Sequence, residues 1–243
     1  MKLPYEFDAS DRIGRKRFSV ILVRPENQEN IGLVARAMRN TGFEDLRLVG
    51  LDHLEQGAFR TAIHSKEILE HARFYPNLGD ATASLNLVAA STARRRTNFF
   101  ILTLSDAVES VLRHPTTAQV GLLFGNERTG LTSEELGSAN IVFHIPQATR
   151  QPSYNLASAV LLTLFSFFGR SCDSCVSATH PLLSRIEQDE CIRLLVKKLE
   201  AKRFIHGTNR AHVVESVQDL FGRIALTERD RGLLLSLFGK VVE

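Results

Sequence analysis

The eight residues Gly125-Asn126-Glu127-Arg128-Thr129-Gly130-Leu131-Thr132 carry the first chemistry to weigh. Their glycine and threonine spacing is that of a phosphate-cradling loop, in which backbone N–H groups hold phosphates and a lysine reaches the terminal ones. Leu131 stands where that lysine is needed, Glu127 would repel phosphate, and no acidic strand follows. A triphosphate is the wrong ligand for this loop. A plain turn, with glycines supplying unusual backbone angles, is the ordinary alternative. Against it stand Glu127 and Arg128, charged residues just beyond the apolar run "VGLLFG". Open α/β sheets place ligands at the carboxyl ends of their strands. Three other apolar runs also end in polar loops: "ILV" in "RPENQENIG", "LVAA" in "STARRRT", and "FHI" in "PQATRQPSYNLAS". A site built from four neighbouring strand ends is the expectation.

The elements that must position these loops are legible as alternating short strands and helices. "RFSVILVRP" reads as a buried strand stopped by Pro25. Ile31, Val34, Ala35 and Met38 then mark one face of a helix, with Gly42 at its stop. "LRLVG" is a strand, and "LEQGAFRTAIHSKEILEHA" is helical with a break near Gly57. "LGDATAS" is a short helix before the strand Leu85–Thr92. Ser105 is placed to cap the helix "SDAVESVLR". The strand "VGLLFG", short helix "LTSEELGSA" and strand "IVFHIP" follow. A long apolar helix then runs to Gly169. This alternation predicts an α/β fold, a mostly parallel sheet covered by helices. After Gly169, "RSCDSCVSATHP" has the composition of a linker. Three helices near 182–202, 210–224 and 227–241 follow it. The expected organisation is a sheet domain over 1–170 and a small all-helical C-terminal extension over 171–243.

The chain has 243 residues, 44% hydrophobic and 23% charged, enough for a full core without staples. Three cysteines do not form a disulfide framework. The first residues hold early acids and no apolar run, so no secretory signal is expected and the location is cytoplasmic. The longest nearly uncharged run is shorter than the roughly 20 residues that span a bilayer. A net charge of +3 permits a nucleic-acid partner without demanding one. Cys172, Cys175, His180 and Cys191 have irregular spacing for zinc, so no metal is expected. There is no G-x-S-x-G elbow and no G-x-G-x-x-G dinucleotide loop.

Three ordered stretches, "PENQENIGLVARAMRNTGF", "FGNERTGLTSEEL" and "IP…PSYNLASAV", resemble the motifs of the SpoU/TrmH-type RNA ribose 2′-O-methyltransferases of the SPOUT superfamily. The resemblance covers about Ser19 to Gly169. "STARRRT" and the helical extension are similar to the TrmJ-type subfamily, which acts on tRNA at position 32 of the anticodon loop. The resemblance implies an α/β knot, with the segment after the last strand threaded to form an S-adenosylmethionine pocket. It implies that Asn30 and Arg36 face the RNA and the reaction, with Glu127 beside them as the third catalytic residue. It implies cofactor contacts, largely through backbone, at Ser91, Thr92, Ala93, Gly125, Ile145, Ser153, Tyr154 and Asn155. Tyr154 stands where the family usually has leucine.

The residue types fit that chemistry. Methyl transfer to a ribose hydroxyl is an in-line displacement from a sulfonium cation, which needs alignment of donor and acceptor. A guanidinium stays protonated in proteins. Orienting a phosphate and stabilising a developing alkoxide are therefore the roles expected of Arg36. Glu127 has Arg36 or Arg128 as expected partner. Arg24, Arg94, Arg95, Arg96 and Arg150 are candidate phosphate contacts to RNA, with Lys16, Arg17 and Arg39 behind them. The helix from Asn155 to Gly169 is apolar nearly all round, which calls for burial on several sides and predicts a homodimer. Ribosomal RNA as substrate, or an RNA-binding α/β protein without catalysis, are the competing expectations.

Overall fold

Four apolar runs form the middle of the sheet because they can be buried on both faces. In the computed structural model, which describes residues 14–94, 96–148, 153–168, 170, 180–201, 204–205, 210–222 and 224–240, the strands are β1 (Phe18–Val23), β2 (Asp45–Val49), β3 (Arg73–Tyr75), β4 (Leu87–Ser91), β5 (Ile101–Thr103), β6 (Val120–Phe124) and β7 (Ile141–His144). They make one seven-stranded sheet in the order β3-β2-β1-β6-β4-β7-β5, and every pairing is parallel. Along β1, Val20 and Leu22 enter one core cluster and Ile21 and Val23 the other. This is the two-residue alternation of a strand covered on both sides.

The helices are α1 (Gln28–Thr41), α2 (Gln56–Ala62), α3 (Lys66–Glu70), α4 (Leu78–Thr82), α5 (Leu104–Leu112), α6 (Ser133–Gly137) and α7 (Leu156–Phe167), then α8 (Arg185–Ala201), α9 (Arg210–Gly222) and α10 (Glu228–Lys240). Asn27 caps α1 by accepting from the Glu29 N–H, and Gly42 closes it at φ 76°. Ile31, Val34 and Met38 of α1 pack with Val160, Leu164 and Phe167 of α7 in the larger core cluster.

Several expectations need correction. β3 and β5 were not foreseen; each has three residues at a sheet edge, and neither has a fully buried residue. The helical stretch over 54–72 breaks at Ile63, a non-glycine residue with φ 51°, while Gly57 lies inside α2. Thr103, rather than Ser105, caps α5, accepting from the Asp106 N–H. The apolar helix α7, expected to be buried on several sides with a second copy contributing, leaves Leu161, Leu162 and Phe165 exposed at 42%, 37% and 62% in the single chain. The threading implied after β7 includes residues 149–152, which lie outside the described residues.

The helical extension docks on the amino-terminal edge of the sheet. The Arg185 N–H donates to the Leu85 carbonyl (2.7 Å). Its Nη2 donates to the Ser138 carbonyl (2.6 Å). Asn86 Nδ2 donates to the carbonyls of Leu182 and Leu183.

Candidate active site

Parallel pairing puts the carboxyl ends of β1, β6, β4 and β7 on one edge, in that spatial order. Leu22 pairs with Phe124, and Ser91 pairs with Phe143. The loops that follow these residues therefore start at a common level. The four strand ends singled out from the sequence are neighbours.

The loop after β6 is folded by its own residues. Asn126 Oδ1 accepts from the Arg128 N–H (2.9 Å) and the Thr129 N–H (3.0 Å). The Gly130 N–H donates to the Asn126 carbonyl (2.8 Å). This is a side-chain-stabilised turn of the kind asparagine favours. Gly125 is required by that turn, since a Cβ there would sit 2.4 Å from Gly130 C and Leu131 N. Close packing of the loop on itself thus explains this glycine before any ligand is considered. Thr132 and Glu135 then form a capping box that starts α6.

Glu127 projects from this turn into the loop after β1. Its carboxylate accepts from the Glu26 N–H (2.9 Å), the Asn27 N–H (3.2 Å) and Asn30 Nδ2 (2.9 Å). Asn30 Oδ1 accepts from Asn155 Nδ2 (2.9 Å). Asn155 Oδ1 accepts from the Ala157 N–H (2.9 Å), capping α7. One polar chain thus joins the loops after β1, β6 and β7. Its direction is set at both ends: a carboxylate can only accept, and a helix N–H can only donate. Burial acts to raise the Glu127 pKa, but the hydrogen bonds from Asn30 and the backbone outweigh it, and the group lies below the ordinary glutamate value. Glu127 is an anion held by three donors and the amino end of α1.

This geometry corrects the pairing expected of Glu127 and gives Asn30 its partners. Glu127 pairs with neither Arg36 nor Arg128; Arg128 instead faces Glu26 at 3.6 Å. Asn30 is only 5% exposed, and both ends of its amide are engaged within the protein. The pair therefore positions the loops. Arg36 does not join them. It lies six residues beyond Asn30 on α1, on an exposed face. That places it about 9 Å further along the helix axis. Arg36 makes no hydrogen bond or ion pair with any described residue.

The proposed cofactor residues line the same edge. The Thr92 N–H donates to the Phe143 carbonyl (2.9 Å), locking the end of β4 to β7. Ser91, Gly125 and Ile145 are half-buried; Ala93, Ser153, Tyr154 and Asn155 are exposed. The Tyr154 hydroxyl donates to the Pro146 carbonyl (3.1 Å) and ties the two ends of the loop after β7.

The candidate phosphate contacts separate into engaged and exposed cations. Arg24 makes a bidentate pair with Glu135. Arg96 donates to the Leu131 carbonyl (2.9 Å) and to Ser133 Oγ (3.2 Å), so it braces α6. Arg94 is exposed, with one long bond to the Arg128 carbonyl. Arg95 and Arg150 lie outside the described residues, as do Cys172 and Cys175. Arg17 is buried at the opposite edge, donating to the Pro115 carbonyl and stacked over Phe18. Lys16 lies beside it at that edge, and Arg39 pairs with Glu67 at 3.4 Å. Asn126 and Glu135 were not singled out from the sequence. Their signals were present: an asparagine directly after a strand-ending glycine, and a T-x-x-E capping box.

Sheet order, strand-end loops and helix arrangement together define an α/β protein whose loops gather at the carboxyl ends of a parallel sheet. The model of the SpoU rRNA Methylase family matches residues 17–165, and the chain belongs to that family. It is 33% identical over 155 residues to the tRNA (cytidine-2′-O-)-methyltransferase TrmJ of Methanocaldococcus jannaschii, covering 62% of this chain. That match spans 66% of the relative, slightly less than two thirds of its length. The tRNA (cytidine/uridine-2′-O-)-methyltransferase TrmJ of Sodalis glossinidius is 28% identical over 231 residues, 90% of each chain. The crystal structure of TrmJ from Z. mobilis ZM4 superposes with a TM-score of 0.76 at 27% identity, covering 93% of this chain and 99% of that one.

Proposed function

We propose that this protein transfers a methyl group from S-adenosylmethionine to a ribose 2′-hydroxyl of tRNA, as the TrmJ relatives are named for doing. The observation that carries the reading is the polar chain Glu127–Asn30–Asn155, which binds the three motif-bearing loops into one constellation. The residues present fit the cofactor. Backbone at Ser91, Thr92, Ala93, Gly125, Ile145, Ser153, Tyr154 and Asn155 suits an adenosyl group, and an ionised Glu127 nearby suits a cationic donor. Bound there, the cofactor would supply an electrophilic sulfonium methyl. Arg36 orients the 3′-phosphate of the target nucleotide and offsets negative charge on the 2′-oxygen as its proton leaves. Arg94, with Arg95 and Arg150, supplies phosphate contacts. Position 32 of the anticodon loop is the target assigned by likeness to the TrmJ type.

The same reading makes the protein a cytoplasmic homodimer. Leu161, Leu162 and Phe165 give α7 an exposed apolar side, and a second copy is the cover that fits it. Leu33 and Arg36, three residues apart, share an exposed side of α1. No described helix is long and apolar enough to cross a membrane. A division at 170/171 is supported by all described strands preceding it. Calorimetric titration with S-adenosylmethionine, with and without tRNA, tests the reading. Binding is expected; none under either condition would sink it.

A further inference from the structure

Arg24 has φ 48°, in the left-handed region that a non-glycine residue rarely occupies. It is the first residue after β1 and directly precedes Pro25. Such a conformation persists only where the surroundings hold it, and it clusters at functional sites. Here the surroundings hold it at both backbone polar groups and at both terminal guanidinium nitrogens, although the side chain is 45% exposed. The Arg24 N–H donates to the Val49 carbonyl (2.8 Å) at the end of β2. Its own carbonyl accepts from Asn126 Nδ2 (2.8 Å). Its guanidinium donates to Glu135 through Nη1 (2.5 Å) and Nη2 (3.0 Å). Glu135 in turn accepts from the Thr132 N–H (2.8 Å), and its side chain is only 11% exposed.

These contacts grip the loop after β6 at both ends. Asn126 is its second residue, and Glu135 lies in the first turn of α6 that closes it. Between the grips lies Glu127, the residue that orders Asn30 and Asn155. We propose that Arg24 and Glu135 form a positioning clamp that fixes the loop after β6 for cofactor binding, and that Arg24 is not a phosphate contact to RNA. The proposal rests on the methyltransferase reading. A bidentate guanidinium–carboxylate pair sets both distance and plane, so it can hold a loop at the geometry a ligand needs before the ligand arrives. The strain at Arg24 is the cost of bringing one residue's carbonyl and side chain to opposite ends of the same loop.

The test uses the full chain and compares wild type with Arg24→Gly, Glu135→Gln and the double variant. Glycine tolerates the positive φ, so Arg24→Gly removes the clamp while relieving the strain, and its thermal melt should match or exceed wild type. Both single variants should bind S-adenosylmethionine about tenfold more weakly, the loss expected for a charge-assisted pair. The double variant should be no worse than either single one, because the two residues act as one unit. The KM for the cofactor should rise while kcat at saturating cofactor stays within about twofold. tRNA affinity and its salt dependence should not change. A phosphate-contacting Arg24 predicts the opposite pattern: intact cofactor affinity, and for Arg24→Gly alone a salt slope reduced by about one. That pattern, or cofactor affinities equal to wild type, overturns the clamp. Failure of wild type itself to bind the cofactor overturns the underlying reading instead.

Discussion

The two edges of the sheet both carry arginine–carboxylate pairs, and they use them differently. At the amino-terminal edge, Asp45 accepts from Ser19 Oγ, from Arg47 Nε (3.1 Å) and from Arg73 Nη2 (2.6 Å). Arg47, with its side chain 6% exposed, also donates to the Ala81 carbonyl (2.6 Å). The partners are the starts of three neighbouring strands and a short helix. The network holds regular structure together and is satisfied within itself. At the carboxyl-terminal edge, Glu127 and Glu135 hold loops instead of strands. There Ser153 and Tyr154 stay exposed beside the ordered loops. Equivalent chemistry joins regular elements at one edge and orders loops at the other.

Replacing Arg36 and Asp45 separates a role in the proposed reaction from a role in the fold most sharply. Arg36→Ala should lower kcat/KM for tRNA by about 10²–10³-fold, the range for losing a group that stabilises developing oxyanion charge. Its melting temperature should stay at wild type, because the residue is exposed and unbonded within the described structure. Activity within twofold of wild type would remove Arg36 from the reaction. Asp45→Ala should do the reverse. It leaves the buried Arg47 without its carboxylate and should cost about 2–4 kcal/mol in denaturant unfolding. Activity per folded molecule should be unchanged; a selective loss of activity would erase the distinction between the edges.

Glu127→Gln tests the boundary between holding and reacting. A neutral amide offers one acceptor oxygen where the carboxylate serves three donors, so cofactor affinity should fall about tenfold. The pH dependence has a definite sign. Glu127 is held below the ordinary glutamate value of 4.5, as its bonds outweigh burial. Its contribution to stability is therefore full at neutral pH and is lost as pH falls below 4.5 through the folded value. Unfolding free energies of the Gln variant at neutral and acid pH should differ less than those of wild type. An identical acid limb would show that Glu127 is not held as an anion.

The smallest effect is expected at Tyr154. Tyr154→Phe removes the hydroxyl that reaches the Pro146 carbonyl and should weaken cofactor binding about threefold, the loss of one exposed neutral hydrogen bond. Unchanged affinity would make this substitution for the family's leucine neutral.

The central strands and α1 were legible in the sequence because burial on two faces or on one stripe leaves a periodic signature. β3 and β5 were not, since three residues at an edge with no fully buried residue leave none. Glu127 stood out as a charge at a strand end, and Asn30 and Asn155 only through the family motifs; their mutual bonding did not stand out. Residue type shows that a carboxylate needs donors; it does not show that backbone N–H groups and an amide supply them where an arginine was expected. The same limit hid the partners of Arg24 and Arg96, Glu135 for the first and the Leu131 carbonyl with Ser133 for the second. A basic run reads as a nucleic-acid surface until the partners that occupy each guanidinium are known. The outward position of Arg36 was legible, because lying off the apolar stripe of α1 is a periodicity argument.

The most direct test is to incubate the protein with tRNA and S-adenosylmethionine labelled in its methyl group, then digest the RNA with alkali. A 2′-O-methyl group blocks the hydroxyl that attacks the neighbouring phosphate, so the label should remain in an alkali-resistant dinucleotide, and that dinucleotide should map to the anticodon loop. Label recovered in single nucleotides, marking a methylated base, or no label on tRNA at all, would contradict the account.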